Sequence, residues 1–208
     1  MSLKVISHPP TTTQNPTGAI VALHGWGANA EDLAPLAPYF NLPDYHFFFL
    51  DAPFPHGYTD YGKMWYDFES MSNNFQSDDS SLLHSRELLI QWLQDLPKNT
   101  GIALEKTILL GFSQGGAMTF DVGLKLPLAG LVILSGYLHP IEYIIDYAPP
   151  ILMIHGLQDP VIPIASAKNS QNLLLEQGLN VQFRTFNMGH EITFPVIDLV
   201  RAFVLQNS

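Results

Sequence analysis

A largely parallel β-sheet covered by helices on both faces is what this sequence predicts. Three observations carry that prediction. Short apolar runs alternate with longer segments of helical period. Most of the runs are continuously apolar rather than alternating, as in strands buried on both sides. The 208 residues are 47% hydrophobic and only 13% charged, enough to build one domain, residues 1–208, around a large core.

Taken in chain order, "KVIS" reads as an edge strand and "AIVALHG" as a buried one. "HFFFLDAP", "TILLGF", "GLVILSG", "PILMIHG" and "VQFRTF" follow as further strands. Between them, "SSLLHSRELLIQWLQDL" carries Leu82, Leu83, Leu89 and Trp92 at helical spacing. "QGGAMTFDVGLKL", "IASAKNSQNLLLEQG" and "ITFPVIDLVRAFVLQ" are the other helical segments. Gly178 is placed to cap the third, and Pro195 lies in the tolerant first turn of the last. Residues 52–81 break the rhythm with an aromatic, glycine-bearing, polar stretch. Its length inside a compact domain points to function, and its aromatics argue for packing over one end of the sheet.

Composition narrows the chemistry. Nine basic residues against nineteen acidic ones give a net charge of −10, which repels nucleic acid and anionic lipid. The absence of cysteine removes disulfides, thiolate metal sites and a cysteine nucleophile together. The start "MSLKVISHPP" lacks the pattern of a secretory leader, and no apolar run approaches the ~20 residues of a membrane span. A cytoplasmic protein without stable membrane insertion is the expectation. Its oligomeric state is left open.

One cluster asks for an explanation. Gly111, Gly115 and Gly116 crowd around Ser113 directly after the strand "TILLGF". Gly111-Phe112-Ser113-Gln114-Gly115 fits a G-x-S-x-G turn, in which a serine on a sharp strand-to-helix bend projects its hydroxyl clear of the backbone. The same residues also suit a plain glycine-rich turn or an anion site at a helix N-terminus. A serine hydroxyl needs a base, and in this arrangement the partners follow in the order Ser, acid, His. His190, in "NMGHEITF", directly follows a strand, at the carboxyl end where α/β ligand sites form. His155 and His139 read as packed or hydrogen-bonded core residues. For the acid, Asp159 in "HGLQDPVIP" lies between Ser113 and His190 on a loop stiffened by Pro160 and Pro163, and a turn-forming Asp-Pro is its plainer reading. Glu176 is its rival, on the outside of a helix, and Glu191 is better suited to starting the last helix. An oxyanion needs N–H donors. Gln114, the residue after the serine, supplies one, and Trp26, between glycines in "LHGWGAN", supplies the second. "LHGWGAN" alone also reads as an ordinary β-to-α turn with a buried tryptophan.

Six segments then coincide in order: "LHGWGAN", "MWYDF", "GFSQGGAM", "LSGYL", "HGLQDPVIP" and "MGHEI". Together they resemble the carboxylesterase/phospholipase family of α/β hydrolases, which includes bacterial carboxylesterases, lysophospholipase-like enzymes and acyl-protein thioesterases. The resemblance implies the α/β-hydrolase fold, Ser113 as nucleophile, Asp159 as acid, His190 as base, and Trp26 and Gln114 as oxyanion amides. It makes Trp65 a candidate wall of the acyl pocket, with a structural role for Trp65 and Asp67 equally open. Met64 and Phe75, from the same excursion, are expected to favour an apolar acyl group. The polar stretch "ESMSNNFQSDDSS" points to small or medium acyl chains on a small-molecule ester. The implied chemistry requires no metal or organic cofactor. Lysophospholipase or thioesterase activity is the alternative within the class, and a non-catalytic binding module the alternative outside it.

Overall fold

The computed structural model describes residues 3–67, 80–140 and 148–207. A seven-stranded sheet organises them. In chain order its strands are β1 (Val5–His8), β2 (Gly18–Leu23), β3 (Tyr45–Leu50), β6 (Thr107–Phe112), β7 (Gly130–Leu134), β8 (Ile151–Gly156) and β9 (Val181–Phe186). Their spatial order is β1-β3-β2-β6-β7-β8-β9. β1 pairs antiparallel with β3, and every other pairing is parallel. All seven strands expected from the apolar runs are present, with "KVIS" at the edge as its weaker pattern suggests.

The continuous apolar runs have a simple cause. Successive side chains on a strand point to opposite faces, and both faces here are covered. Ala19, Val21 and Leu23 join Leu109, Leu131 and Ile133 in one buried cluster. Ile20 and Ala22 join Ile108, Leu110, Val132 and Leu134 in the other. Helices α2 (Ser80–Thr100), α3 (Gln114–Gly123) and α4 (Ile164–Glu176) cover the first face through Leu89, Leu93, Met118, Phe120 and Leu174. The second face is covered by α5 (Phe194–Asn207), by the short α1 (Ala30–Leu33) and by a 3-10 helix at Ala34–Phe40. Gly178 ends α4 with φ near 80° and donates its N–H to Leu175, as its expected capping role requires.

Two features depart from the sequence reading. The sequence reading gives no element to "ANAEDLAPLAPYF", in which Pro35 and Pro38 interrupt any helical period, yet it forms α1 and the 3-10 helix. The signal that marks it is the capping box between Asn29 and Asp32. The excursion is also less irregular than expected where it is described. It contains an antiparallel hairpin, β4 (Phe54–Pro55) with β5 (Lys63–Met64). Phe75 lies outside the described residues.

The tightest packing is at the β6–α3 junction. A Cβ on Gly115 would lie 2.3 Å from the Leu23 carbonyl oxygen, and one on Gly111 would lie 2.1 Å from that of Gly115. Neither backbone neighbour can move without breaking a strand or a helix. Gly115→Ala is therefore expected to lower stability by about 1–3 kcal/mol through overpacking, read as a lower urea midpoint. A wild-type midpoint would show that this contact yields freely.

Candidate active site

The carboxyl ends of β2, β6, β8 and β9 carry the loops that build the site. β6 ends at Phe112, and α3 starts at Gln114. Between them Ser113 sits at φ 55° and ψ −117°. Such a conformation costs a non-glycine residue about 1–3 kcal/mol and persists only where its surroundings enforce it. The enforcement is visible: Ser113 N–H donates to the Leu134 carbonyl at 2.8 Å, and the Ser113 carbonyl accepts from Ala117 N–H at 3.1 Å. Its hydroxyl takes no part in capping α3. The residue is 7% exposed.

The loop after β2 runs directly alongside. A Cβ on Gly25 would lie 3.2 Å from Ser113 Cβ, so the backbone entering Trp26 passes within contact distance of the serine. Several hydrogen bonds hold this loop. Gly27 N–H donates to Lys63 O at 2.9 Å, and Lys63 N–H returns to Ala28 O at 2.7 Å, pinning the loop to β5. The buried His24 donates from Nδ1 to Gly25 O at 2.7 Å and accepts the Ala52 N–H at Nε2 at 3.0 Å. A single neutral tautomer satisfies both bonds. The Trp65 indole N–H donates to His24 O at 2.9 Å. The buried Gln114 side chain accepts Trp65 N–H at 2.9 Å and donates to Tyr66 O at 2.7 Å. Ser85 closes the set by donating its hydroxyl to Trp65 O.

These bonds favour the structural one of the two readings of Trp65. Its side chain is fully buried, at 0% exposure, and offers a ligand no accessible surface. It braces the loop that carries Trp26. Met64 is half-buried on β5, paired with Phe54. The Trp26 side chain is also not buried, as an ordinary turn tryptophan would be. It is 41% exposed, edge-on to His56 with ring centroids 4.1 Å apart.

Asp159 and His190 meet on the loops after β8 and β9. The two loops touch so closely that a Cβ on Gly156 would lie 2.3 Å from the Gly189 carbonyl oxygen. His190 Nδ1 donates to Asp159 Oδ2 at 2.7 Å. That leaves Nε2 as the acceptor nitrogen of the neutral ring. Asp159 Oδ1 accepts the N–H groups of Val161 and Ile162, each at 2.9 Å. Burial alone would raise the Asp159 pKa. The hydrogen bond from His190 and those from Ile162 and Val161 outweigh it and hold the carboxyl below its ordinary range, hence ionised. The His190 ring packs on Phe112, the residue before Ser113, with centroids 4.7 Å apart. Three other titratable groups after Ser113 are placed differently. Asp121 takes a bidentate pair from Arg86 at 2.6 and 2.8 Å, His139 lies 3.0 Å from the Tyr66 hydroxyl, and Glu176 is exposed on α4. Glu191 accepts Gly189 N–H at 3.2 Å beside the site.

A mostly parallel sheet with a serine on a strained strand-to-helix turn, and an Asp–His pair on later loops at the same edge, defines an α/β hydrolase. The chain belongs to the phospholipase/carboxylesterase family, whose model matches residues 7–207. It is similar to acyl-protein thioesterase 1 of Neurospora crassa, 31% identical over 158 residues that cover 68% of this chain and 64% of that protein. It is similar to a probable carboxylesterase of Oryza sativa, 29% identical over 191 residues, 84% of this chain and 71% of that one. The crystal structure of esterase PE8 superimposes over all of both chains with a TM-score of 0.88 and 28% identity. The chain spans a little under two thirds of the length of the thioesterase relatives it matches. No helix among the described residues is long and apolar enough to cross a membrane.

The state of His24 makes stability depend on pH. Burial pushes its pKa below the ordinary 6.5, so below that pH the unfolded chain takes a proton that the folded chain refuses. This contribution to stability is complete above pH 6.5 and is lost as pH falls toward the lowered folded value. Within that window the wild type is expected to lose stability more steeply than His24→Asn, by up to about 1.4 kcal/mol per pH unit. Urea midpoints of both proteins across the window measure the difference. Parallel curves would contradict a buried neutral imidazole.

Proposed function

We propose that this chain is a serine hydrolase that cleaves carboxylic esters through an acyl-enzyme, with residues 1–208 acting as one domain. The observation that carries this reading is the Asp159–His190 hydrogen bond, on a ring packed against the residue beside Ser113. Ser113 Oγ attacks the ester carbonyl while His190 Nε2 takes its proton, forming a tetrahedral oxyanion. The backbone N–H groups of Trp26 and Gln114 receive that oxyanion, each donor being worth about 3 kcal/mol in the transition state. As the first residue of a helix, Gln114 has no intrahelical acceptor for its N–H. His190 then protonates the leaving alcohol as the C–O bond breaks. Water repeats the sequence and releases the acid, restoring Ser113. Ionised Asp159 holds the Nδ1–H tautomer and stabilises the imidazolium.

A small-molecule ester with a short or medium acyl chain is the substrate proposed, with Met64 on the acyl side. Net charge of −10 disfavours nucleic acid and anionic surfaces as partners. Thioester cleavage is the second reading, favoured by the names of the curated relatives. A non-catalytic binder would have no use for an acid, a base and a strained serine at one sheet edge.

Ser113→Ala is expected to lower kcat for p-nitrophenyl butyrate by about 10⁴-fold or more, and Asp159→Asn by about 10³–10⁴-fold. Near-wild-type turnover by Ser113→Ala would reject the proposal. The substrate class is read by comparing kcat/KM across p-nitrophenyl acetate, butyrate and decanoate with the matching thioesters and a lysophospholipid. The highest values are expected for the shorter oxygen esters, and a dominant thioester or lysophospholipid rate would reassign the class.

A further inference from the structure

His155 breaks the pattern of its strand. It is the fifth residue of β8 and, by alternation, shares a sheet face with Ile151 and Met153, which pack in the apolar core. An aliphatic side chain would meet that environment without cost. The imidazole is 1% exposed, so its polar atoms need partners inside the protein.

The partners it finds belong to the loop that carries Asp159. His155 Nε2 lies 2.8 Å from the Ile162 carbonyl oxygen, which can only accept, so Nε2 carries the proton and donates. The N–H of the same Ile162 donates to Asp159 Oδ1 at 2.9 Å. Ile162 is thus held at both ends of its backbone, by His155 from beneath and by Asp159 from the front. His155 Nε2 also lies 3.4 Å from Asp159 Oδ2, the oxygen that accepts from His190. Packing from outside does little to hold this loop, since Leu157 and Val161 are 51% and 59% exposed. Its orientation depends on hydrogen bonds: Leu157 N–H donates to Phe186 O at 2.8 Å and Gln158 N–H to Met188 O at 3.1 Å where the loop leaves β8, and His155 supplies the side-chain bond that holds its far end at Ile162.

We propose that His155 is a positioning residue for the Asp159–His190 pair, anchoring the Asp159 loop so that Oδ2 stays aimed at His190 Nδ1. This inference rests on the triad reading above. The backbone bonds of Leu157 and Gln158 fix where the loop starts, and Pro160 and Pro163 limit its backbone, but none of them can hold the Ile162 end. A rigid strand reaching up through one imidazole can. Small displacements suffice to matter, because misplacing a catalytic group by about 1 Å costs on the order of 10²-fold in rate.

The test compares His155→Leu, His155→Asn and His155→Gln with wild type and with Ser113→Ala, using p-nitrophenyl butyrate and the downfield proton NMR resonance of the Asp159–His190 hydrogen bond. Leucine removes the donor. The asparagine amide is one bond too short to reach Ile162, whereas the glutamine amide places an N–H close to the position of Nε2. His155→Leu and His155→Asn are expected to lose about 10- to 100-fold in kcat with KM within about twofold, and to lose or shift the downfield resonance. His155→Gln is expected to recover most of both. A residue that merely packs would alter the urea midpoint and leave kcat, the resonance and this order unchanged. If leucine prevents folding, the asparagine–glutamine contrast gives the same answer. Ser113→Ala inactive with His155→Leu and His155→Asn fully active would overturn the positioning role alone. Ser113→Ala at wild-type turnover would overturn the triad reading and this inference with it.

Discussion

The contact between the Gly115 backbone and the carbonyl of Leu23 sets the geometry on which everything else rests. With hydrogen as its side chain, Gly115 lets α3 begin hard against the end of β2. The turn between β6 and α3 must then be sharp enough to hold Ser113 at positive φ, where its hydroxyl does not cap the helix it precedes. The same closeness brings the loop after β2 into contact with the serine. A bulkier residue at position 115 would push helix and strand apart and carry Ser113, with the adjoining Gln114 amide, away from the Trp26 amide proposed as its second oxyanion donor.

Around that contact the fold adds buried hydrogen bonds to the apolar packing of Trp65 and Tyr66. Gln114 extends its amide away from the turn to tie down Trp65 and Tyr66, and Trp65 in turn holds His24. Each bond satisfies a group that would otherwise be costly to bury, by about 1–3 kcal/mol apiece. Because the set is closed, loosening one member exposes the others. That interdependence, together with the core packing of Trp65 and Tyr66, holds the two short loops beside the Ser113 hydroxyl. The Asp159 loop follows the same logic, with backbone N–H groups and His155 replacing a hydrophobic shell.

Much of this was legible in the sequence, for identifiable reasons. Strands buried on both faces write continuous apolar runs, so β2, β6, β7 and β8 stood out. The glycines around Ser113 were legible because close backbone approach tolerates no other residue. Chain order and strand ends led to Asp159 and His190, and the structure brings those two together. Other features leave no such trace. Trp65 looks the same in sequence whether it lines a pocket or is sealed beneath a loop, because only tertiary packing decides which side of the backbone it takes. His155 read as a core histidine, and it is one. That its hydrogen bond reaches the Asp159 loop depends on where residue 162 folds back, which no local pattern encodes. The segment at 30–40 shows no helical period because α1 is a single turn and Pro35 and Pro38 interrupt the 3-10 helix after it, although the capping pair Asn29 and Asp32 marks its start.

The account stands or falls on a covalent bond at one oxygen atom. Acid-quenching the protein during turnover of a slowly deacylating ester, then mapping the adduct by peptide mass spectrometry, tests this most directly. The expected result is one acyl group per chain at most, carried on Ser113 and lost as turnover completes. An active protein whose acyl group maps to another residue, or which never carries one while product forms, would contradict it.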